Sequence, residues 1–197
     1  MRNGADEGNV RPLQGLTAVL AALSLALFAW IYAGFVTAFR DASAGQQMLD
    51  ARIGGYEAED VVAMVRYLKD HPDPAAILHS LYLGPELVFP LVLAGLLFCL
   101  MRLIGPGGFF FGRPIPPGAT AVIFCLPVFY GIVDYTENIA GLMLYPPATP
   151  SDGTVTFLSG LLPIIVRLKF LSLVITIILL ARFSIFRYLS PGGSRPS

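Results

Sequence analysis

Residues 13–39 read LQGLTAVLAALSLALFAWIYAGFVTAF and contain no charged side chain. An α-helix needs about 20 apolar residues to cross the roughly 30 Å of hydrocarbon in a bilayer. The run is too long for the apolar core of a secretory signal peptide, which has about 7–15 residues, and no clear small-residue cleavage site ends it. This stretch therefore predicts an uncleaved first membrane span and decides the fold class.

Three further apolar runs follow it, at about 81–104, 119–145 and 156–183. The fourth is interrupted by Pro163, Arg167 and Lys169, so its embedded part could instead be 164–186. Of the 197 residues, 55% are hydrophobic and only 13% are charged, whereas soluble domains carry about 25% charged residues. The chain is thus predicted to be an all-α integral membrane four-helix bundle, with one domain over residues 13–186.

The largest polar region, residues 40–80, lies between the first two runs. From Glu57 to Lys69 the apolar residues recur at helical spacing, with acids in the first turn and bases in the last, as the helix dipole favours. This pattern predicts a short amphipathic helix in the first, outer loop that lies on the membrane surface or caps the bundle. A second helix is expected to be capped by Asp73, to begin at Pro74 and to continue straight into the second span.

The distribution of Lys and Arg predicts the orientation, because basic residues in short flanks stay on the cytoplasmic side. The third loop has none, and the first loop has four but is long and net acidic. We therefore expect tails 1–12 and 187–197 to be cytoplasmic, with loops one and three outside the inner (cell) membrane. The C-terminal tail is rich in Pro, Gly and Ser and is expected to be disordered. The flanking basic residues are Arg2, Arg11, Arg102, Arg113, Arg182, Arg187 and Arg195.

Spans two to four carry polar and charged side chains at overlapping predicted depths in the outer half of the bilayer. An ionised side chain that faces lipid costs about 2.5–3.5 kcal/mol on insertion scales, so we expect these residues to face the bundle interior and to pair. Asp134, Glu137 and Asn138 stand at i, i+3 and i+4 and share one helix face. The predicted charged layer consists of Glu86, Asp134, Glu137, Asn138, Arg167 and Lys169.

This layer has two interpretations. Its three acids and two bases could hold the helices in register through internal ion pairs. Alternatively, paired carboxylates can act as acid and base, or hold a proton or cation in transit. Tyr82 and Tyr130 each lie one turn before an acid and could donate to carboxylates, and His79 lies two turns before Glu86 at the mouth of span two.

Other kinds of site have little support in the sequence. It contains no H-E-x-x-H motif and no zinc-spaced group of Cys and His, so no metal or other cofactor is expected. Cys99 and Cys125 lie in apolar runs and are interpreted as small apolar fillers. There is no G-x-S-x-G nucleophile elbow. The formal net charge of zero and the scattered basic residues argue against a nucleic-acid partner.

Two motifs resemble those of a loose group of small bacterial four-span membrane proteins. The first is YLGPELVFP at residues 82–90, at the entry to span two, and the second is DYTEN at residues 134–138, a D-x-x-E-N run on span three. The resemblance covers about residues 55–180. It implies the four-span topology with a short helical outer loop and points to the polar residues of the second motif, but it implies no substrate.

We expect a non-enzymatic accessory or lipid-binding helical bundle with a buried charged layer. Its partners would be membrane lipids, and a second copy of the chain or another membrane protein. The alternative is an intramembrane enzyme or carrier that acts on a lipid or a small charged molecule through Glu86, Asp134 and Glu137. Transport by a single copy is not expected, because the spans show no internal repeat of the kind from which carriers are built.

Overall fold

The structure is a computed structural model that describes residues 5–52, 54–105, 109–110 and 113–189. Residues 190–197, which belong to the tail predicted to be disordered, lie outside the described residues. The helices are α1 (Ala5–Trp30), α2 (Thr37–Ala42), α3 (Ala58–Asp70), α4 (Pro72–Leu83), α5 (Pro85–Ile104), α6 (Pro117–Leu144) and α7 (Asp152–Leu189). Two short strands, β1 (Phe109–Phe110) and β2 (Arg113–Pro114), form an antiparallel pair between α5 and α6.

Four helical segments are long and apolar enough to cross a membrane, as the sequence predicts. They are Arg11–Ala42, Pro72–Ile104, Pro117–Leu144 and Asp152–Phe186. All four exceed the roughly 20 residues that a span requires. The helices also extend into both predicted tails, because α1 begins at Ala5 and α7 ends at Leu189. Over the residues that the structure describes, the regular structure is therefore helical apart from the short β1–β2 pair.

The second segment is divided at Gly84, where an uninterrupted helix was expected. Pro85 has no N–H to donate to the Leu81 carbonyl, and the Gly84 N–H donates to that carbonyl instead, at 3.2 Å. A Cβ at position 84 would lie 2.7 Å from the Ser80 carbonyl oxygen. This tight turn therefore requires glycine. The helix also begins slightly earlier than predicted, at Pro72, with His71 as its N-cap residue.

The first segment changes its winding near one end. A six-residue π-helical turn, Ile31–Val36, joins α1 to α2. Such turns insert extra residues into a helix and change the direction in which the following side chains point. After the turn, Phe39 of α2 is fully buried, whereas none of the turn residues is buried.

Helix α6 packs against both α5 and α7, and α1 packs mainly against α5. The most apolar window of the first segment is only 11% buried, compared with 28% for each of the other three. The described structure is thus a packed group of three long helices, with the first span attached to one side.

The end of the molecule that contains residues 43–70 holds the larger of two apolar cores; we call these residues, apart from the undescribed residue 53, the cap. Cap residues such as Met48 and Val65 pack there with residues of α4, α6 and α7. A smaller core, around Leu97, Met101 and Leu180, lies toward the other end. The cap is therefore packed against the helices as an integral part of the fold.

Candidate functional site

Lys169 lies between two carboxylates of the neighbouring helix. Its Nζ atom is 2.9 Å from Asp134 Oδ1 and 2.5 Å from Glu137 Oε2. The three side chains are 14%, 3% and 2% exposed, respectively. The three-residue spacing on α6 places both acids on one helix face, and α7 supplies the ammonium. The structure thus brings these three predicted residues together in one buried group.

Tyr130 occupies the second oxygen of Asp134. Its hydroxyl donates to Asp134 Oδ2 at 2.7 Å, one turn earlier on the same helix. Asp134 therefore has a cation on one oxygen and a phenol donor on the other. A buried carboxylate needs such compensation, because burial without partners strongly disfavours its charge.

Asp50 of the cap joins the same cluster, although its position in a polar loop did not predict this. The Tyr82 hydroxyl donates to Asp50 Oδ2 at 2.7 Å, and the Asp50 carboxyl lies within hydrogen-bonding range of Glu137. Burial raises the pKa of Asp50 above its usual value, against the opposing effects of the Lys169 ammonium and the Tyr82 hydroxyl. We call Asp50, Tyr82, Tyr130, Asp134, Glu137 and Lys169 the charged cluster.

Buried phenols surround the cap side of the charged cluster. The rings of Tyr82 and Tyr145 are stacked with centroids 6.4 Å apart, and Tyr56 is buried nearby. Burial, reinforced by the Asp50 charge, raises the pKa values of Tyr56 and Tyr145 above the ordinary range for tyrosine. These two hydroxyls therefore stay protonated near neutral pH.

Asn138 and Glu86 meet through the backbone of span two. The Asn138 side-chain amide donates to the Glu86 carbonyl oxygen at 3.1 Å. Within an α-helix that carbonyl would accept from residue 90, but Pro90 has no N–H. Asn138 therefore satisfies a carbonyl that proline has left free, and the Tyr135 hydroxyl supports the next carbonyl, that of Leu87, at 2.6 Å.

Arg167 lies outside the charged cluster, although it was expected to face the bundle interior. It is exposed and pairs with Glu57 of the cap at 2.5 Å. Two residues along a helix correspond to a rotation of about 200°, so Arg167 and Lys169 cannot face the same side of α7. The Glu86 and His79 side chains are both partly exposed. The Glu86 charge interacts with those of Asp134, Lys169 and Asp50, but among the described residues it forms no ion pair.

The side of the charged cluster that contains Asp50 borders a narrow space. Next to Asp50, the residues that the structure describes leave no space large enough for a water molecule between Phe39, Met64 and Tyr145. Across the described ranges, no group of three or more His, Cys, Asp or Glu residues is arranged to hold a metal ion. The position that a cation could take is already filled by the Lys169 ammonium.

Comparisons with protein-family models, with curated proteins and with solved structures find no match to this chain. Its role is therefore argued from its own geometry. That geometry consists of one buried ammonium between two carboxylates, a third carboxyl supplied by the cap, and phenols that donate to two of the three acids.

Proposed function

We propose that this chain is a non-enzymatic multi-pass protein of the cell membrane that serves as an accessory or lipid-binding helical bundle. In this proposal the four apolar segments cross the bilayer, both termini are cytoplasmic and the cap lies outside. The charged cluster acts as a lock that holds the cap and the helices in one arrangement.

The observation that carries the proposal is the placement of Lys169. Its ammonium is buried between Asp134 and Glu137, and the described residues leave no room for a water molecule beside the neighbouring Asp50. A catalytic or transport site needs a concave space for its substrate. A buried ammonium paired with two carboxylates, with no room for water beside Asp50, supports a structural role instead.

The exposed surface of the first span supports the accessory or lipid-binding role. Large apolar side chains such as Leu25, Phe28 and Trp30 are more than half exposed. They belong to the segment Arg11–Ala42, which is the least buried of the four candidate spans. In a membrane such a surface contacts lipid, a second copy of the chain or another membrane protein. We assign the binding role to this face of α1.

The lock is tested by removing its charges in two steps. The double variant Asp134→Asn/Glu137→Gln removes both carboxylates that form ion pairs with the buried Lys169 ammonium. Breaking a buried pair from one side costs about 3–5 kcal/mol in soluble proteins. We expect a large loss of thermal stability and folded yield in detergent. The triple variant that adds Lys169→Met has no buried charge left on these residues, and we expect it to recover most of the lost stability.

The matched control is the exposed pair between Glu57 and Arg167, replaced as Glu57→Gln/Arg167→Gln. Exposed ion pairs contribute about 0–1 kcal/mol, so this variant should melt close to the wild type. If the double variant Asp134→Asn/Glu137→Gln keeps wild-type stability, the proposal of a lock is wrong.

One observation favours the alternative of an intramembrane enzyme or carrier for a lipid or small charged molecule. Three buried carboxyl groups surround a single ammonium. The acids thus outnumber the cation, and a buried carboxyl group without a cationic partner tends to take up a proton. Under this alternative, relief of the repulsion among the carboxyl groups offsets the loss of the two ion pairs of Lys169, so the double variant stays folded and loses only its activity. The stability measurement therefore separates the two functions before any substrate is known.

A further inference from the structure

Glu137 has an oxygen that the lock does not use. Its Oε1 atom is buried, and no donor to it is found among the residues that the structure describes. The Asp50 carboxyl lies within hydrogen-bonding range of Glu137. Two carboxylates accept hydrogen bonds but cannot donate them, so this contact requires a proton on one of the two groups.

We propose that Asp50 and Glu137 form a proton-binding site, in which one shared proton fastens the cap to the long helices. The inference rests on the proposed role of the charged cluster as a lock and adds a ligand to it. With the proton bound, Asp50 and Glu137 form a carboxyl–carboxylate hydrogen bond. Without it, two negative charges face each other, and the space beside Asp50 is too small to admit a water molecule.

The groups that face Asp50 come from every element packed against it. Helix α4 contributes Tyr82, α6 contributes Asp134 and Glu137, and α7 contributes Lys169, while Tyr56 and Tyr145 lie at the cap side. Helix α5 contributes Glu86, whose charge also interacts with that of Asp50. If the three acids were ionised, the cluster would hold three negative charges and one positive charge, a net of minus two. One shared proton changes the net charge of the cluster to minus one. The Tyr82 and Tyr130 hydroxyls stabilise the remaining charge.

The direction of the pH dependence follows from the raised pKa of Asp50. A carboxyl whose pKa is higher in the folded state contributes stability that is complete below its unfolded value, about 3.9 for aspartate. That contribution is lost as the pH rises through the folded pKa. The cap should therefore be held most tightly in acid and loosen as the medium becomes alkaline.

Asp50 is the acid best placed to move when the proton leaves. Asp134 and Glu137 lie within the long helix α6, whereas Asp50 lies in the stretch between Ser43 and Glu57 that contains no helix. Moving it breaks one hydrogen bond with Tyr82 and leaves the ion pairs of Lys169 in place. Release of the proton thus detaches this stretch of the cap without separating the spans.

The experiment measures tryptic cleavage after Arg52 in the full chain in nanodiscs, from about pH 6 to about pH 9, normalised to a free peptide of residues 43–57 at each pH. Coupling of opening to one proton raises the cleavable fraction up to about tenfold per pH unit. Asp50→Asn keeps a neutral side-chain donor toward Glu137 and should give a flat profile. Asp41→Asn, an exposed aspartate near the cap, should retain the wild-type slope.

Equal slopes in the wild type and Asp50→Asn would overturn the shared proton. If Asp50→Asn does not fold, infrared spectroscopy of the wild type decides, since a protonated carboxyl has its own C=O band, which shifts with ¹³C-labelled aspartate or glutamate. Absence of that band at about pH 6, well above ordinary carboxyl pKa values, would also overturn the proposal. Neither result affects the lock itself, which depends on the stability of the Asp134→Asn/Glu137→Gln variant at a single pH.

Discussion

The ring of Tyr82 lies directly against Gly141, where α4 meets α6. A Cβ added at position 141 would lie 2.7 Å from Tyr82 Cε2 and 3.1 Å from its hydroxyl oxygen. Tyr82 is also stacked on Tyr145 and donates to Asp50, so the ring is restrained on several sides. The missing side chain at position 141 is thus what allows Tyr82 to reach the charged cluster.

Gly141→Ala should therefore displace Tyr82 and weaken its hydrogen bond to Asp50. Overpacking of this kind costs about 1–3 kcal/mol, which we expect to appear as a lower melting temperature and faster tryptic cleavage after Arg52. The control is Gly160→Ala in α7, where an added Cβ meets nothing within 4 Å and alanine favours the helix. Equal melting temperatures for the two variants would contradict the positioning role of Gly141.

Asn138 and Pro90 should be energetically coupled, because the Asn138 amide replaces the N–H that Pro90 lacks. Asn138→Leu leaves the Glu86 carbonyl without this donor and should cost about 1 kcal/mol, the order measured for hydrogen bonds between membrane helices. In a Pro90→Ala background, the alanine N–H can bond that carbonyl, and the same substitution should cost less. A double-mutant cycle on melting free energies measures the difference. Strict additivity of the two substitutions would show that the Asn138 amide does not replace the N–H that Pro90 lacks.

The geometry also shows which parts of the fold a sequence can predict. The charge-free run at 13–39 was sufficient to predict a span, because the cost of burying charge in lipid leaves few alternatives. The position of the break at Gly84 and the π-helical turn at Ile31–Val36 could not be predicted from the pattern of apolar residues. The break follows from the missing N–H of Pro85, which that pattern does not report.

The charged cluster was predictable only in part, for a related reason. The spacing of Asp134 and Glu137 is local, so it indicated a shared face directly, and depth alone placed Lys169 at their level. Arg167 was grouped with them by depth, although its angle on α7 places it on another side. No pattern in the sequence around Asp50 indicates its role, because only the folding of the cap brings it to Glu137, 87 residues further along the chain.

Asp60 should give a pH dependence opposite in sign to that of Asp50. Its carboxylate accepts from the Glu57 backbone N–H at 2.9 Å and from Arg52 at 3.0 Å. These bonds lower the pKa of Asp60, the backbone bond most of all. Stability from this group is present above the unfolded pKa of about 3.9 and is lost as the pH falls through the lower folded value.

Asp60→Asn should therefore reduce the acid sensitivity of the cap, measured as the melting temperature between about pH 2 and about pH 5. The effect should be well under 1 kcal/mol, because the Asp60 side chain is 41% exposed and solvent screens the interaction. Asp70→Asn, at the other end of α3, is the matched control and should keep the wild-type acid slope. A steeper acid slope in Asp60→Asn would contradict the assignment.

Trp30 is a natural probe of the first span, because the chain contains one tryptophan. Its side chain is 56% exposed and contacts the Phe35 ring edge-on at 5.8 Å. If α1 faces lipid, phospholipids with brominated acyl chains should strongly quench its fluorescence in nanodiscs, whereas a water-soluble quencher should not. Trp30→Phe/Ala63→Trp moves the probe to an exposed position of α3 and should reverse this preference.

The outcome also identifies what covers the exposed face of α1. Quenching by brominated lipid that is independent of protein density shows that lipid covers the face in a single copy. Protection that increases as two or more chains are loaded into each nanodisc shows instead that a second copy covers it. Quenching of Trp30 by the water-soluble agent alone would place this part of the chain outside the bilayer. Because Trp30 lies within the first candidate span, Arg11–Ala42, that result would contradict the four-span arrangement.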